Sequence, residues 1–134
     1  MFHLIKILNG RISVPEPERI ALTANTTVEY GTLITVKDGV ATLFNAASTS
    51  LPTHLVLADS TGKNVLAARV SPDMVFEAPV SATPTAMIVG GEYLLSSDGK
   101  SVSATLVSSG KRGAHLVNKA GASKADDKIY VAFR

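Results

Sequence analysis

Cysteine and tryptophan are both absent from this chain of 134 residues, and aromatic and charged residues are scarce. Without cysteine there is no disulfide scaffold, no thiolate nucleophile and no thiolate ligand for zinc or an iron–sulfur cluster. Aromatic residues make up 5% of the sequence and charged residues 18%. A basic surface studded with aromatic side chains, of the kind that binds nucleic acid, is therefore not predicted.

Aliphatic residues fill the composition instead. Hydrophobic residues account for 46% of the chain, and so high a share with so few charges excludes intrinsic disorder. The length suits one folded domain that buries roughly two-thirds of its unfolded surface. Lys6 interrupts the apolar N-terminus, whereas a signal peptide needs an unbroken apolar run of about 7–15 residues. We expect neither a signal peptide nor a membrane partner.

The Asn9-Gly10 pair predicts a β-hairpin at the N-terminus, because Asn-Gly favours the two-residue type I′ turn. The register set by that turn places four aliphatic side chains on one face. These are Ile5, Ile7, Ile12 and Val14. Pro15 and Pro17 end the hairpin and form a stiff connector. Residues 1–17 are therefore predicted as a hairpin arm with its connector, and residues 18–134 as a barrel or sandwich domain.

A second hairpin is predicted around Asp38-Gly39 by the same turn chemistry. Its register pairs Ile34 with Leu43 on one face and Leu33 with Phe44 on the other. Because both faces carry apolar bulk, we expect this ribbon to be central in the fold.

Two further hairpins and a final strand complete the predicted β-structure: 54–59 with 64–70, 92–96 with 101–107, and 128–133. Residues 114–127 are small and polar, which is typical of a long mobile loop. Short strands separated by turn signals predict an all-β fold. We expect a small barrel or β-sandwich built from hairpins, with an N-terminal hairpin arm and little or no helix.

No motif for catalysis, for a cofactor or for a metal is present. His3, His54 and His115 are scattered singly, without the paired spacing of a metal site. Gly99-Lys100-Ser101 matches the end of a phosphate-binding loop, but that motif needs glycine at the position of Leu94. No carboxylate pair and no serine motif suggests hydrolytic chemistry. The sequence therefore predicts a protein that is not an enzyme and has no cofactor.

The small net charge of +2 is unevenly distributed along the chain. Residues 111–134 carry six basic and two acidic side chains, whereas acidic residues slightly outnumber basic ones before them. Lys111 and Arg112 lie between glycines at a predicted loop tip that projects its charges outward. They either contact an acidic partner or form a solvated hairpin end, and the sequence leaves both interpretations open. A nucleic-acid partner is not predicted.

Three stretches carry a resemblance to a known group of proteins: 29–40, 65–80 and 90–95. With these stretches the chain resembles the small β-barrel decoration (cement) proteins on the heads of tailed bacteriophages. Proteins of that group are rich in Ala, Thr, Val and Gly and commonly bind the outer capsid lattice as trimers or dimers. An extended N-terminal arm often adds to capsid strands.

The resemblance implies a non-catalytic structural protein of the virion, made in the host cytoplasm, that binds the major capsid protein and stabilises the head lattice. It also implies a homo-oligomer, with a trimer favoured over a dimer. The expected capsid contacts are Ile5, Ile7, Ile12, Val14, Lys111 and Arg112. The N-terminal hairpin could equally close its own barrel.

A carbohydrate- or receptor-binding β-module, such as a fibre or adhesin domain, is the alternative function. Modules of this kind stack exposed aromatic side chains on sugar rings. Tyr30, Tyr93 and Tyr130 are the candidate residues.

Overall fold

The structure, a computed structural model, describes residues 1–7, 15–23, 26–60 and 62–134, and only the backbone of Lys6 and Ile7. These residues form eleven strands and no helix, which confirms the predicted all-β class. In chain order the strands are β1 (His3–Ile7), β2 (Glu18–Leu22), β3 (Leu33–Lys37), β4 (Val40–Leu43), β5 (His54–Val56), β6 (Asn64–Arg69), β7 (Met74–Pro79), β8 (Glu92–Leu95), β9 (Val102–Leu106), β10 (Ala114–Asn118) and β11 (Lys128–Ala132).

The strands are divided between a closed barrel and a second sheet. The barrel has the order β2-β4-β3-β5-β6, in which β2 and β4 pair in parallel and the other pairs are antiparallel. The second sheet has six strands in the order β1-β7-β11-β10-β8-β9. Just after β7, Val80 makes a parallel bridge to Val102 of β9, so the sheet curls back on itself. The expected small barrel is present, with a curved sheet beside it.

The hairpin of β3 and β4 is the wall between two hydrophobic cores. Its pairing of Ile34 with Leu43 confirms the register predicted from the Asp38-Gly39 turn, where both residues have positive φ. Ile34 belongs to the core inside the barrel, whereas Leu33 and Phe44 belong to the larger core under the six-stranded sheet. The ribbon is therefore central, as predicted, although Val40 and Leu43 of β4 are themselves exposed.

All four phenylalanines of the chain meet in the larger core. Phe133 lies edge-on to Phe2, Phe44 and Phe76, with ring centroids 5.7 to 5.8 Å apart. This arrangement places the positive ring edge against the negative ring face. The cluster joins both ends of the chain to the barrel wall.

The first strand, β1, lies at one edge of the six-stranded sheet and pairs antiparallel with β7. The turn and second strand of the predicted N-terminal hairpin fall on residues 8–14, outside the described residues. The division into an arm of residues 1–17 and a domain of residues 18–134 therefore stays a prediction. Phe2 is fully buried, so the chain is already part of the core before β1 begins.

The predicted hairpins of β5 with β6 and of β8 with β9 are confirmed, as is the last strand, β11. The prediction of a long mobile loop over residues 114–127 is wrong for its first five residues. Residues 114–118 form β10, which lies between β8 and β11, and its Ala114 and Leu116 are fully buried. The small and polar residues of this segment are typical of a loop, but its alternate side chains enter the core as those of a strand do.

Candidate functional site

Of the four aliphatic residues predicted to contact a partner, only Ile5 has a described side chain. Ile7 lies in β1 with its backbone alone described, and Ile12 and Val14 fall outside the described residues. At Ile5 the pairing of β1 with β7 shifts register, which marks a β-bulge. The Ile5 side chain is 42% exposed, so the bulge presents an aliphatic side chain at the rim of the sheet.

The strand edge beside Ile5 is open within the described part of the chain. β1 has β7 on one side and no described strand on the other. An edge of this kind offers unpaired backbone N–H and C=O groups to a strand of another chain. An exposed aliphatic side chain next to it adds apolar contact, which is the usual chemistry of strand addition.

The predicted basic tip is anchored rather than projecting. Arg112 Nε lies 2.9 Å from Glu92 Oε1, and the Arg112 guanidinium also donates to the Arg134 carbonyl at 2.5 Å. Lys111 Nζ donates to the Ala47 carbonyl at 3.1 Å. The expectation that this tip projects its charges outward is therefore wrong for Arg112, whose charge is neutralised by Glu92. Whether Lys111 and Arg112 contact a partner stays a prediction.

Two neighbouring aliphatic side chains that the sequence reasoning did not single out are among the most exposed in the described residues. Ile88 and Val89, in the loop before β8, are 72% and 58% exposed. The Ile88 N–H donates to the Tyr93 hydroxyl at 2.7 Å, and the Gly90 N–H donates to the Leu116 carbonyl at 2.9 Å. The loop is thus fixed by hydrogen bonds while its aliphatic side chains face solvent.

The three tyrosines have different surroundings. Tyr93 is buried and its hydroxyl holds the Ile88 loop, so it cannot meet a ligand in this structure. Tyr30 is 43% exposed and its ring centroid lies 6.1 Å from that of His3. Tyr130 is half-buried on β11. Tyr30 and Tyr130 therefore remain as aromatic candidates.

A polar depression of about 380 Å³ lies beside Tyr130, on the face of the sheet turned away from the larger core. Tyr130 and Glu77 are direct cross-strand partners on β11 and β7. Lys128, two residues before Tyr130, shares its face of the strand. Asp127 and residues 120–122 complete the lining. We call this set the Tyr130 depression.

One wall of the Tyr130 depression is a loop whose conformation is stabilised by hydrogen bonds between its own residues. Asp127 Oδ2 accepts from the backbone N–H groups of Ser123 and Lys124, at 2.9 and 3.2 Å. These hydrogen bonds, that of Ser123 above all, lower the pKa of the Asp127 carboxyl. Ala120 and Asp126 have positive φ, which non-glycine residues adopt only when the surrounding structure holds them there.

An apolar groove of about 260 Å³ lies where β1 and β7 approach the outside of the barrel. Its lining is mainly aliphatic and aromatic and includes Leu57, Val70 and Met74. Its polar lining residues among those described are His3, Tyr30 and Arg69, with no carboxylate, whereas Glu77 and Asp127 line the Tyr130 depression.

A titratable cluster closes one end of the barrel. His54 is 3% exposed, its Nδ1 lies 2.8 Å from Thr53 Oγ1, and its Nε2 lies 3.4 Å from Glu18 Oε2 without hydrogen-bond alignment. Burial lowers the pKa of His54, against the opposing effect of the Glu18 carboxylate. A hydrogen bond of 2.9 Å from Arg69 lowers the pKa of Glu18. Sequence reasoning missed this cluster, because β2, β5 and β6 bring its members together from distant positions.

The described residues contain neither a cluster of metal-ligating side chains nor a helix that could cross a membrane. No group of three or more metal-ligating side chains occurs there. None of the described segments is a helix long and apolar enough to cross a membrane.

Comparison with known proteins leaves the function to be inferred from these surfaces. No protein-family model matches the chain, and no curated protein matches it either.

Proposed function

We propose that this protein is a non-catalytic decoration protein of a tailed-phage head, which binds the major capsid protein on the outer surface and stabilises the lattice as a homo-oligomer, with a trimer favoured. The closed barrel and the absence of helix in the described residues are what the resemblance implies for the fold. A fold of curved sheets with one buried wall suits a rigid brace between capsomers.

The edge of β1 that no described strand covers is the observation that carries the proposal. A strand of the capsid protein that pairs with β1 would satisfy the unpaired backbone groups of that edge and contact Ile5. β1 is fixed to β7 and follows the buried Phe2, so the edge is preorganised and loses little conformational entropy on binding.

The charged groups give the proposal further support. The Arg112 and Glu92 side chains form an ion pair with each other, as do Lys100 and Glu29, at 3.1 Å. Side chains committed to internal pairs contribute little to attraction at long range. Arg112 and Lys100 therefore add little to long-range attraction, and a contact at β1 made through backbone pairing and aliphatic surface should change little with salt.

The test replaces an exposed aliphatic residue at each edge of the sheet. Ile5→Glu places a charge where the capsid strand would lie, and we expect it to weaken binding to heads by about tenfold or more, because a charge buried without a partner costs on the order of 2 kcal/mol or more. Leu106→Glu is the matched control, because Leu106 is 59% exposed on the opposite edge strand, β9. Co-sedimentation with expanded heads lacking the protein measures both.

The possible outcomes test the contact at β1 separately from the proposed head-binding function. Equal binding by the two variants contradicts the assignment of β1, and failure of the unsubstituted protein to bind heads contradicts the proposed function. Deleting residues 1–14 is not a clean alternative, because it removes Phe2 from the aromatic cluster. Circular dichroism of both variants checks that they fold.

A further inference from the structure

The Tyr130 depression contains three polar groups that have no partner among the described residues. The Glu77 carboxylate, the Lys128 ammonium and the Tyr130 hydroxyl make no hydrogen bond or ion pair within the described part of the chain. Other half-buried carboxylates are satisfied: Glu92 by Arg112, and Asp127 by two backbone N–H groups. A half-buried carboxylate left unpaired costs free energy, so Glu77 is placed to accept hydrogen bonds from a ligand.

The three groups are held in a fixed arrangement. Glu77 and Tyr130 face each other across β7 and β11, which lie in the interior of the six-stranded sheet. Lys128 is held on the same strand as Tyr130. The wall at residues 120–122 is positioned by the Asn118 side chain, whose Oδ1 accepts from the Ala120 N–H at 2.7 Å. A ligand would therefore meet a site formed by strands and a hydrogen-bonded turn.

The chemistry of the lining selects a neutral ligand with several hydroxyl groups. A free carboxylate accepts hydrogen bonds and a free ammonium donates them, so a pair of adjacent hydroxyls can satisfy both. An anion would approach Glu77 and Asp127, and a cation would approach Lys128, so net charge on the ligand is disfavoured. The ring of Tyr130 offers an apolar face to C–H groups. The volume of about 380 Å³ falls in the range of about 300–1,000 Å³ typical of small-ligand sites.

We propose that the Tyr130 depression binds a neutral sugar ring, with Glu77 and Lys128 bonding adjacent hydroxyls and Tyr130 stacking beneath the ring. This site uses the face of β7 and β11 and not the outer edge of β1, although Glu77 is the cross-strand partner of His3 in β1. It does not depend on the head-binding function, and it selects Tyr130 from the three tyrosines.

An NMR titration of the full chain with neutral monosaccharides, such as glucose, galactose, mannose and N-acetylglucosamine, tests the proposal. We expect at least one sugar to shift the backbone amides of residues 77, 120–122 and 127–130. Glucuronate and glucosamine should bind more weakly than their neutral counterparts. A glycan array with the same protein distinguishes free sugars from units within a longer glycan.

Point variants test whether the sugar binds at the Tyr130 depression. Glu77→Gln should weaken binding by about tenfold, since a hydrogen bond to a charged group contributes about 1.5–3 kcal/mol and tenfold corresponds to about 1.4 kcal/mol. Tyr130→Ala should also weaken binding, because it removes the aromatic ring on which the sugar stacks. Tyr130→Phe should retain most of the stacking contribution. Tyr30→Ala is the matched control, because Tyr30 is an exposed tyrosine outside the depression. Absence of shifts at these residues with every sugar overturns the proposal, as does equal loss of binding in Tyr30→Ala and Tyr130→Ala.

Discussion

His54 is enclosed where β2 and β5 begin and β6 ends, and its charge state is coupled to folding. Its neighbours in the cluster are Glu18, whose carboxylate favours the charged imidazole, and Arg69, whose guanidinium disfavours it. Burial outweighs the carboxylate, and the pKa of His54 in the folded protein is lowered. A group of this kind contributes to the pH dependence of stability even where it takes no part in binding.

Acidification from about pH 7.5 to about pH 5.5 is expected to reduce the free energy of unfolding through His54. The unfolded chain, with a histidine pKa of about 6.5, binds more protons than the folded protein below that pH. The contribution is therefore complete above the unfolded-state pKa and is lost as the pH falls towards the folded-state pKa. Urea unfolding across this range measures the loss.

The control for this experiment is a second histidine. His54→Gln should flatten the pH dependence, whereas His115→Gln, on the half-buried His115 of β10, should preserve it. Glu18 titrates below this range, because Arg69 lowers the pKa of its carboxyl. An unchanged pH dependence in His54→Gln would contradict the assignment.

At the scale of elements, turn chemistry predicted the strands that have a tight turn beside them. The β3–β4 hairpin follows from Asp38-Gly39 and the β8–β9 hairpin from a turn at Gly99, which has positive φ. β2 was not predicted, because it has no local turn partner and pairs with β4 in parallel and with the distant β6. β10 was mistaken for a loop, because Ala114 and Asn118 at its two ends are weak strand formers.

The hairpin turns provide a test of backbone conformation without changes in packing. Gly39 has a φ of 78° and open space where a Cβ would lie, so Gly39→Ala should cost about 1–2 kcal/mol through strain alone. Gly62 lies outside the left-handed region, and its added Cβ would meet Ser60 Oγ only at 4.0 Å. Gly62→Ala should therefore change stability by less than about 0.5 kcal/mol. Chemical unfolding of both variants compares them, and equal losses would show that φ is not the cause.

For the whole molecule, the shared wall couples the barrel to the six-stranded sheet. Leu33 and Phe44 face one core while Ile34 faces the other, so neither core can open without exposing the wall. The Tyr130 depression likewise depends on the whole fold. Glu77 and Tyr130 are adjacent only because β7 and β11 pair. No pattern of residues in the sequence predicts that pairing.

We expect the two halves to unfold in one cooperative transition. Ile20→Ala in the barrel core and Leu116→Ala in the larger core should each cost about 2–5 kcal/mol, because each leaves a cavity among buried neighbours. Each substitution should lower hydrogen-exchange protection in both halves, including the half that it does not touch. Loss of protection confined to β2 and β6 in Ile20→Ala would show that the halves unfold independently.

The wall between the cores also limits how the gene can change in length. A shift of one residue in β3 would turn Ile34 out of the barrel core and bring Leu33 in from the other side. One inserted or deleted codon within Leu33–Lys37 would thus damage two cores together, whereas a longer turn at Gly39 leaves both faces in place. Insertions and deletions among descendants of this chain should accumulate at hairpin tips and spare the wall.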